Sequence, residues 1–174
     1  MRRSATTGAE AVRSFLTERS GRRGSSWEAG AAVATARERV LEFIDAINAG
    51  DARRIGGLIT EDHLFIDSDG TETRGWREMR QAWHQYFAMM PGYRIHVRET
   101  FCEGATVLLV GTAEGTYAPG GVPDPRNRWR VPAAWRAVVE AEGIAVWQIF
   151  CNPEPISRVV RAADERRAGQ RGGP

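Results

Sequence analysis

Apolar residues recur at helical spacing in three segments of the first half of the chain. From Thr35 onward they fall three or four positions apart, and Thr35 and Glu38 have the spacing of a capping box, which predicts that a first helix begins there. Asp51 suits the cap of a short second helix. A third helix, from about Gly75 to Met90, carries one broad stripe of aromatic and methionine side chains. Such stripes indicate helices that pack one face against a core.

Strict alternation of apolar and polar residues predicts strands elsewhere. A first strand ends at Asp67, before the turn Ser68-Asp69-Gly70. Four longer strands follow the third helix, at about residues 93–101, 105–117, 128–140 and 144–151. This order predicts an α+β fold in which a curved, cone-shaped antiparallel sheet packs on three N-terminal helices. The cone encloses a cavity suited to a small molecule, and the outer sheet face is predicted to form a homodimer.

The two ends of the chain differ in composition from its middle. Residues 1–30 are rich in Arg, Gly and Ser and are predicted to form a flexible arm, residues 31–157 the folded domain, and residues 158–174 a polar C-terminal tail. No apolar run approaches the roughly 20 residues that span a bilayer, so we expect no membrane contact. The N-terminus lacks the apolar segment of a signal peptide.

Composition and charge exclude several classes of function. The 174 residues are 42% hydrophobic and 26% charged, which fits one domain with a substantial core. A net charge of +2 is too small to indicate nucleic-acid binding. Lysine is absent, which excludes Schiff-base chemistry and a GxxxxGK[ST] phosphate loop. Cys102 and Cys151 lie far apart in sequence, which argues against a disulfide framework and a structural zinc site and favours a reducing, cytoplasmic setting.

Asp67 is the first candidate for chemistry. His63, Phe65 and Asp67 share one face of the first strand, so the acid is expected near an aromatic lining. Burial in such a lining raises the pKa of a carboxyl group and makes it a useful proton acceptor near neutral pH. The alternative is that Asp67 serves only the turn that follows it. His63 either tunes this acid or lies at the rim of the cavity.

Four strings resemble a known superfamily: FIDAINAGD at residues 43–51, LFIDSDGTETRG at 64–75, WRVPAAWRAVV at 129–139 and VWQIFCNPEPI at 146–156. Residues 35–156, about 70% of the chain, resemble the SnoaL-like, nuclear-transport-factor-two-like superfamily. That group includes ketosteroid isomerases, polyketide cyclases, limonene epoxide hydrolases and dehydratases. The resemblance implies the cone-shaped fold and chemistry on a hydrophobic, oxygenated molecule without cofactor or metal, but the fold alone does not select a reaction.

The ketosteroid isomerase pattern is only partly present. The resemblance implies that Asp67 stands where those enzymes carry their base. The hydrogen-bond donors that hold the substrate oxygen come from a Tyr on the first helix and an Asp on a late strand. Phe43 and either Ala133 or Ala134 occupy the matching positions, and none of these side chains donates a hydrogen bond. Steroid isomerase activity is therefore not expected.

Two other members of the group suggest further roles. Limonene epoxide hydrolases use an Asp–Arg–Asp cluster, and Arg136 would approach Asp67 or Glu114 if its strand face looks inward, although a second Asp is lacking. A polyketide cyclase needs an acid in an apolar pocket, which Asp67 with Trp83 and Tyr86 would satisfy. Arg136 alternatively forms a structural salt bridge or lies exposed.

The sequence thus predicts a SnoaL-like protein with a small-molecule pocket. It is expected to be a cofactor-independent enzyme of the isomerase, cyclase or dehydratase type, or an epoxide hydrolase. The alternative is a non-catalytic ligand-binding or dimerising module of the same fold. The predicted catalytic residues are Asp67, Arg136 and His63. The predicted substrate-binding residues are Phe43, Phe65, Trp83, Tyr86, Ala134, Val138 and Asn152, of which Asn152 is alternatively a turn residue.

Overall fold

The computed structural model describes residues 26–171 of the chain, with side chains from residue 30 to residue 169. The chain divides into two units, Met1–Ala31 and Ala32–Pro174. The arm predicted for residues 1–30 lies almost wholly outside the described residues. The architecture below is that of the second unit, together with the helix that leads into it.

Two helices precede the first strand and a third follows the second strand, as the periodicity predicts. They are α1 (Ser26–Asn48), α2 (Ala52–Leu58) and α3 (Trp76–Met89). Asp51 caps α2, because its side chain accepts a hydrogen bond from the amide of Arg54 at 2.9 Å. The predicted start of the first helix at Thr35 is wrong: α1 already begins at Ser26, so the apparent capping box lies inside the helix.

Six strands form one curved, open sheet. They are β1 (Ile59–Ile66), β2 (Glu72–Arg74), β3 (Arg94–Glu103), β4 (Thr106–Thr116), β5 (Arg128–Val139) and β6 (Ile144–Cys151), in the spatial order β2-β1-β6-β5-β4-β3. The α+β fold is confirmed, but the sheet is mixed rather than wholly antiparallel, since β1 pairs with β6 in parallel. A parallel pair needs a long crossover, which α3 and the hairpins of β3–β5 provide.

The inner face of the sheet and the helices form the core. Along β5, alternate residues from Trp129 to Val139 are buried, whereas those between them are exposed or half-buried. Helix α1 contributes Val40, Phe43 and Ile47, all fully buried. The Phe43 ring meets Trp147 of β6 edge to face at 5.0 Å.

A β-bulge in β3 distorts the sheet where β3 pairs with β4. The register between the two strands shifts between Val97 and Glu99. Opposite the bulge lies Gly111 of β4, where an added Cβ would collide with the backbone carbonyl oxygen of His96. Bulges bend a strand and increase its twist, and glycine permits this close approach of the two backbones.

A fourth helix, α4 (Glu154–Arg171), occupies the region predicted as a polar tail from residue 158. Its apolar residues recur at helical spacing and pack against the core: Ile156, Val159, Val160 and Ala163. This narrow stripe is sufficient to dock the helix, and the abundant Arg residues lie on its other faces. None of the described helices is long and apolar enough to cross a membrane.

Candidate functional site

Two adjoining cavities lie between the inner sheet face and the helices. The first, here the α3 cavity, has a volume of about 240 Å³ and lies beside that helix, lined by Phe65, Thr73, Met79, Ala82 and Trp83. The second, here the α4 cavity, has a volume of about 350 Å³ and reaches β4, β5, β6 and the start of α4. The two cavities share the lining residues Asp67, Tyr86, Tyr93 and Ile149.

Asp67 follows the last residue of β1 and begins the turn to β2. Its amide donates to the carbonyl oxygen of Thr71 at 2.9 Å, and Gly70 completes the turn with a φ of 86°. The Ser68 amide and hydroxyl donate to Asp67 Oδ1 at 2.5 and 3.2 Å. The side chain lines both cavities yet is exposed rather than enclosed. The carboxylate therefore lies at a mouth that the two cavities share.

Two tyrosines, Tyr86 half-buried and Tyr93 buried, line the same cavities as this carboxylate. Tyr86 belongs to α3, and Tyr93, only 7% exposed, directly precedes β3. Burial raises the pKa of both phenols, and the neighbouring ionisable groups, Asp67 and Cys151 among them, act in the same direction. Both hydroxyls therefore stay protonated at neutral pH and are available as hydrogen-bond donors.

The backbone around Tyr93 is fixed from both sides. Its amide donates to the carbonyl oxygen of Met90 at 3.2 Å, across a turn in which Gly92 has a φ of 73°. Two residues later, Ile95 exchanges two hydrogen bonds with the Asn48 side chain at the end of α1, at 2.9 and 2.7 Å. These contacts hold the Tyr93 ring at the junction of α1, α3 and β3.

Aromatic rings form a continuous lining around the two tyrosines. Trp83 stacks on Phe87 at 5.3 Å, and the Tyr93 ring lies 6.0 Å from that of Trp129. Within the described part of the chain, the indole nitrogens of Trp83, Trp129 and Trp135 are buried and have no hydrogen-bond partner. These nitrogens are enclosed by the packing of the core, and the side chains that line the cavities are mostly apolar.

The comparisons with known proteins agree with this architecture. The family model for the SnoaL-like domain matches residues 40–148. The chain belongs to the SnoaL-like family. A comparison of the sequence with curated proteins finds no significant match.

Solved structures share the fold of this SnoaL-like chain at low sequence identity. A protein of Shewanella denitrificans, named for SnoaL-like polyketide cyclases, superposes with a TM-score of 0.65 at 14% identity, covering 74% of this chain and 98% of that one. An LEH-like epoxide hydrolase of M. tuberculosis gives 0.62 at 16% identity, covering 73% and 85%. A ketosteroid isomerase-like protein of Catenulispora acidiphila, in complex with trimethylamine, gives 0.60 at 18%, covering 68% and 88%. At this identity the likeness shows the fold.

His63 of this SnoaL-like domain lies in the core and is absent from the lining of both cavities. It is fully buried, and Nδ1 is 2.7 Å from the carbonyl oxygen of Ile144. A carbonyl only accepts, so Nδ1 carries the proton. Burial lowers the pKa of His63, while the Ile144 hydrogen bond and the charge of Asp62 oppose the shift. The imidazole therefore supports the β1–β6 junction.

Arg136, Ala134 and Val138 lie on the outer face of β5, whereas Trp135 between them points to the core. The inward face that a catalytic role of Arg136 required is therefore not the one it occupies, because the two bulky tryptophans of β5 take the inner positions. Glu114 interacts with His96 at 3.1 Å and with Arg130 at 3.8 Å. The cluster of Asp67, Arg136 and Glu114 does not form.

The remaining predicted residues divide between the cavity and structural positions. Phe65, Trp83 and Tyr86 line the α3 cavity. Phe43 is part of the core, and exposed Asn152 accepts a hydrogen bond from the Glu154 amide at 3.0 Å, which forms a turn just before α4.

Four residues of the α4 cavity, Tyr93, Trp129, Trp135 and Cys151, were not among the predicted site residues. Alternation within β5 and β6 was the available signal for Trp129, Trp135 and Cys151, since it places them on the inner face, whereas Tyr93 directly precedes β3. The Cys151 thiol is no obvious nucleophile, because burial raises its pKa, although a hydrogen bond with Ser68 opposes the shift.

Proposed function

We propose that this SnoaL-like domain binds a hydrophobic, oxygen-bearing small molecule in the two cavities and uses Asp67 as a general acid or base. The reaction class is isomerisation, cyclisation or dehydration without a cofactor. The observation that carries the proposal is that the Asp67 carboxylate and the side chains of Tyr86 and Tyr93 line both cavities, whose lining is otherwise largely apolar.

The position of Asp67 supports proton transfer at the cavity mouth. Ser68 holds Oδ1 through two hydrogen bonds, whereas Oδ2 has no hydrogen-bond partner among the described residues. A ligand that fills the cavity displaces water from one side of the carboxylate, and loss of water makes a carboxylate more basic. A base placed in this way typically contributes a rate factor of about 10² to 10⁴.

Exchange of an acidic C–H with solvent tests the base directly. The probe is 1-tetralone, a bicyclic ketone, in D₂O, where abstraction of a proton from C2 is followed by NMR as loss of the C2–H signal. We expect the protein to accelerate exchange and Asp67→Asn to lower the rate by about 10² or more. Asp62→Asn is the matched control, because Asp62 is an exposed acid of β1 outside both cavities. Equal exchange by Asp67→Asn and the unmodified chain would refute the role of Asp67.

A non-catalytic ligand-binding module of the same fold is the second candidate. It is favoured by the exposure of Asp67 and by the apolar side chains of Phe43 and Ala133, at positions where related isomerases carry donors. This candidate predicts that 1-tetralone binds without accelerated exchange and that Asp67→Asn leaves its affinity unchanged.

The proposal includes a homodimer formed through the outer sheet face, in a cytoplasmic setting. Phe101, Leu108 and Phe150 are 53%, 37% and 46% exposed on that face. Apolar patches of this kind commonly mark an interface, and a self-complementary face forms two-fold dimers. Both cysteines, Cys102 and Cys151, are free thiols, which agrees with a reducing compartment.

A further inference from the structure

Two arginines of α3 lie over the same tryptophan ring, at the surface where this helix meets α2. The guanidinium carbons of Arg77 and Arg80 are 5.4 and 5.1 Å from the centroid of the Trp76 ring. Trp76 is half-buried, whereas both arginines are exposed. A cation placed over a ring in this way is held by the electrons of the ring face. The N–H groups at the edge of each guanidinium remain available to an anion.

No acid of the described chain neutralises these two cations. Among the described residues, neither Arg77 nor Arg80 forms a salt bridge with a carboxylate, whereas the nearby Arg54 pairs with Glu42 at 3.2 Å. Glu78, the acid of the first turn of α3, is turned back so that its Oε2 atom lies beside the glycine that precedes the helix. The two guanidinium groups therefore present uncompensated positive charge to the outside.

Two consecutive glycines on α2 leave room for this arrangement. Gly56 faces the Arg80 side chain, and an added Cβ there would lie only 3.2 Å from Arg80 Cδ. An added Cβ on Gly57 would meet no atom within 4 Å, so the surface beside it is open. Glycine weakens a helix interior relative to alanine, and α2 has only seven residues. The glycine pair thus keeps this surface low and open although it weakens the helix.

A third cation extends the surface along α2. Arg53 is exposed, forms no salt bridge with a described residue, and lies one turn before Gly56 and Gly57 on the same side of the helix. The cations, the glycines and the tryptophan are here called the α2–α3 surface: Arg53, Gly56, Gly57, Trp76, Arg77 and Arg80. Other residues of α3, Met79 and Trp83 among them, line the α3 cavity. The α2–α3 surface is therefore separate from the candidate site.

We propose that the α2–α3 surface binds an acidic segment of a partner protein, whose carboxylates pair with Arg53, Arg77 and Arg80. Guanidinium groups bind carboxylates through two parallel hydrogen bonds. The cations are spread over two helices, which fits a segment with several carboxylates better than a single small anion. The two glycines let the backbone of such a segment approach α2 closely. A net charge of +2 for the whole chain argues against a nucleic acid as the partner.

A helical peptide with one acidic face is the probe. Three repeats of Glu-Ala-Ala-Glu-Ala-Ala-Ala place the glutamates on one side of a helix, and the same peptide with glutamine for glutamate is the neutral reference. Fluorescence anisotropy at low salt should show that the protein binds the acidic peptide at least about fivefold more tightly. The preference should shrink as salt is added, because the charges are exposed.

A pair of double variants separates a local site from net charge. Arg77→Gln combined with Arg80→Gln should lower the affinity for the acidic peptide by about fivefold to tenfold. Arg98→Gln combined with Arg128→Gln removes the same charge from exposed positions on the sheet and should leave the affinity unchanged. Circular dichroism should match that of the unmodified chain in both cases, since all four side chains are exposed.

Gly56→Ala tests the arrangement without removing a charge. The new methyl group should push Arg80 away from the Trp76 ring and weaken peptide binding by about threefold, whereas stability to urea should not fall, because alanine favours helix. Gly57→Ala is the matched control and should bind as the unmodified chain does, since its Cβ meets open space. Equal affinities of the two alanine variants would overturn the role of Arg80 placement.

The remaining outcomes decide the partner class. Equal binding of the acidic and neutral peptides, or a preference that survives the loss of Arg77 and Arg80, overturns the proposal. Binding of a short DNA duplex as tightly as the acidic peptide, with the same dependence on these arginines, would assign the surface to nucleic acid and overturn it as well. Exchange of 1-tetralone depends on Asp67 and not on this surface, so the proposed function stands or falls separately.

Discussion

The rings of Tyr86 and Tyr93 meet edge to face with their centroids 5.1 Å apart, although one belongs to α3 and the other precedes β3. Edge-to-face pairs of this kind add stability beyond the area they bury. The contact thus joins helix and sheet at the point where the two cavities meet. Both tyrosines also line the two cavities, so this structural contact forms part of the candidate site.

The first prediction separates the ring of Tyr93 from its hydroxyl. Tyr93→Phe should change the free energy of unfolding by less than about 1 kcal/mol, because the hydroxyl forms no hydrogen bond of ordinary geometry with another described residue. Tyr93→Ala should lower it by about 3–5 kcal/mol, because it removes a buried aromatic ring. Urea denaturation of both variants measures the difference. A loss of 3 kcal/mol in Tyr93→Phe would show that the hydroxyl is structural.

Sequence periodicity could predict the strands but not which face of β5 is the inner one. Both faces of this strand carry Ala or Val, so alternation alone allowed Arg136 to point inward. The bulky side chains of Trp129 and Trp135 decide the matter, because they lie on the same face and fill the core. Which face of a strand is buried depends on its packing against other elements, and the sequence of the strand alone does not show those contacts.

The candidate site was predictable only where it is local in sequence. Phe65 and Asp67 share one strand, and Trp83 and Tyr86 share one helix, so their spacing brings them to common faces. Tyr93 is held at the site by long-range contacts. The Asn48 side chain of α1 binds the backbone of Ile95 at the start of β3, and the Tyr86 ring of α3 packs against the Tyr93 ring. Likewise, α4 was mistaken for a tail because its polar residues outnumber the few apolar positions that dock it.

The second prediction concerns the pH dependence of stability through His63. Its pKa in the folded protein lies below the ordinary value of 6.5, so below pH 6.5 the unfolded chain binds more protons than the folded one. The free energy of unfolding therefore falls as pH drops below 6.5, by at most about 1.4 kcal/mol per pH unit from this group. Well above pH 6.5 the histidine is neutral in both states and the effect vanishes.

His63→Asn provides the test, because an amide can still donate to the Ile144 carbonyl but does not titrate. The variant should be less stable at pH 7.5 and show a flatter dependence between pH 6.5 and 5.5 in urea denaturation. His84→Asn, an exposed site on α3, is the control and should keep the original slope. Parallel slopes for His63→Asn and the unmodified chain would contradict the assignment.

The third prediction concerns the close approach of strands at Gly111. Gly111→Ala should lower the free energy of unfolding by about 1–3 kcal/mol, because the new methyl group collides with the His96 carbonyl and forces β3 away from β4. Gly57→Ala in α2 is the control, since its Cβ meets no atom within 4 Å and alanine favours helix. That variant should be unchanged or slightly more stable. Equal stability of the two variants would mean that β3 can shift without cost.

The fourth prediction tests the outer sheet face as a homodimer interface. Leu108 of β4 lies directly opposite Arg136 of β5 in the sheet register, beside exposed Phe101 and Phe150. Leu108→Arg would place two guanidinium groups side by side in an apolar face, which disfavours burial of that face in a dimer.

Light scattering at micromolar concentration should therefore give the mass of two chains for the unmodified protein and of one chain for Leu108→Arg. Val122→Arg is the matched control, because Val122 is 78% exposed but lies in the loop before β5 rather than in the sheet. It should remain dimeric, with the same circular dichroism as the unmodified chain. A single-chain mass for the unmodified protein would remove the dimer, and dimeric Leu108→Arg would move the interface to another surface.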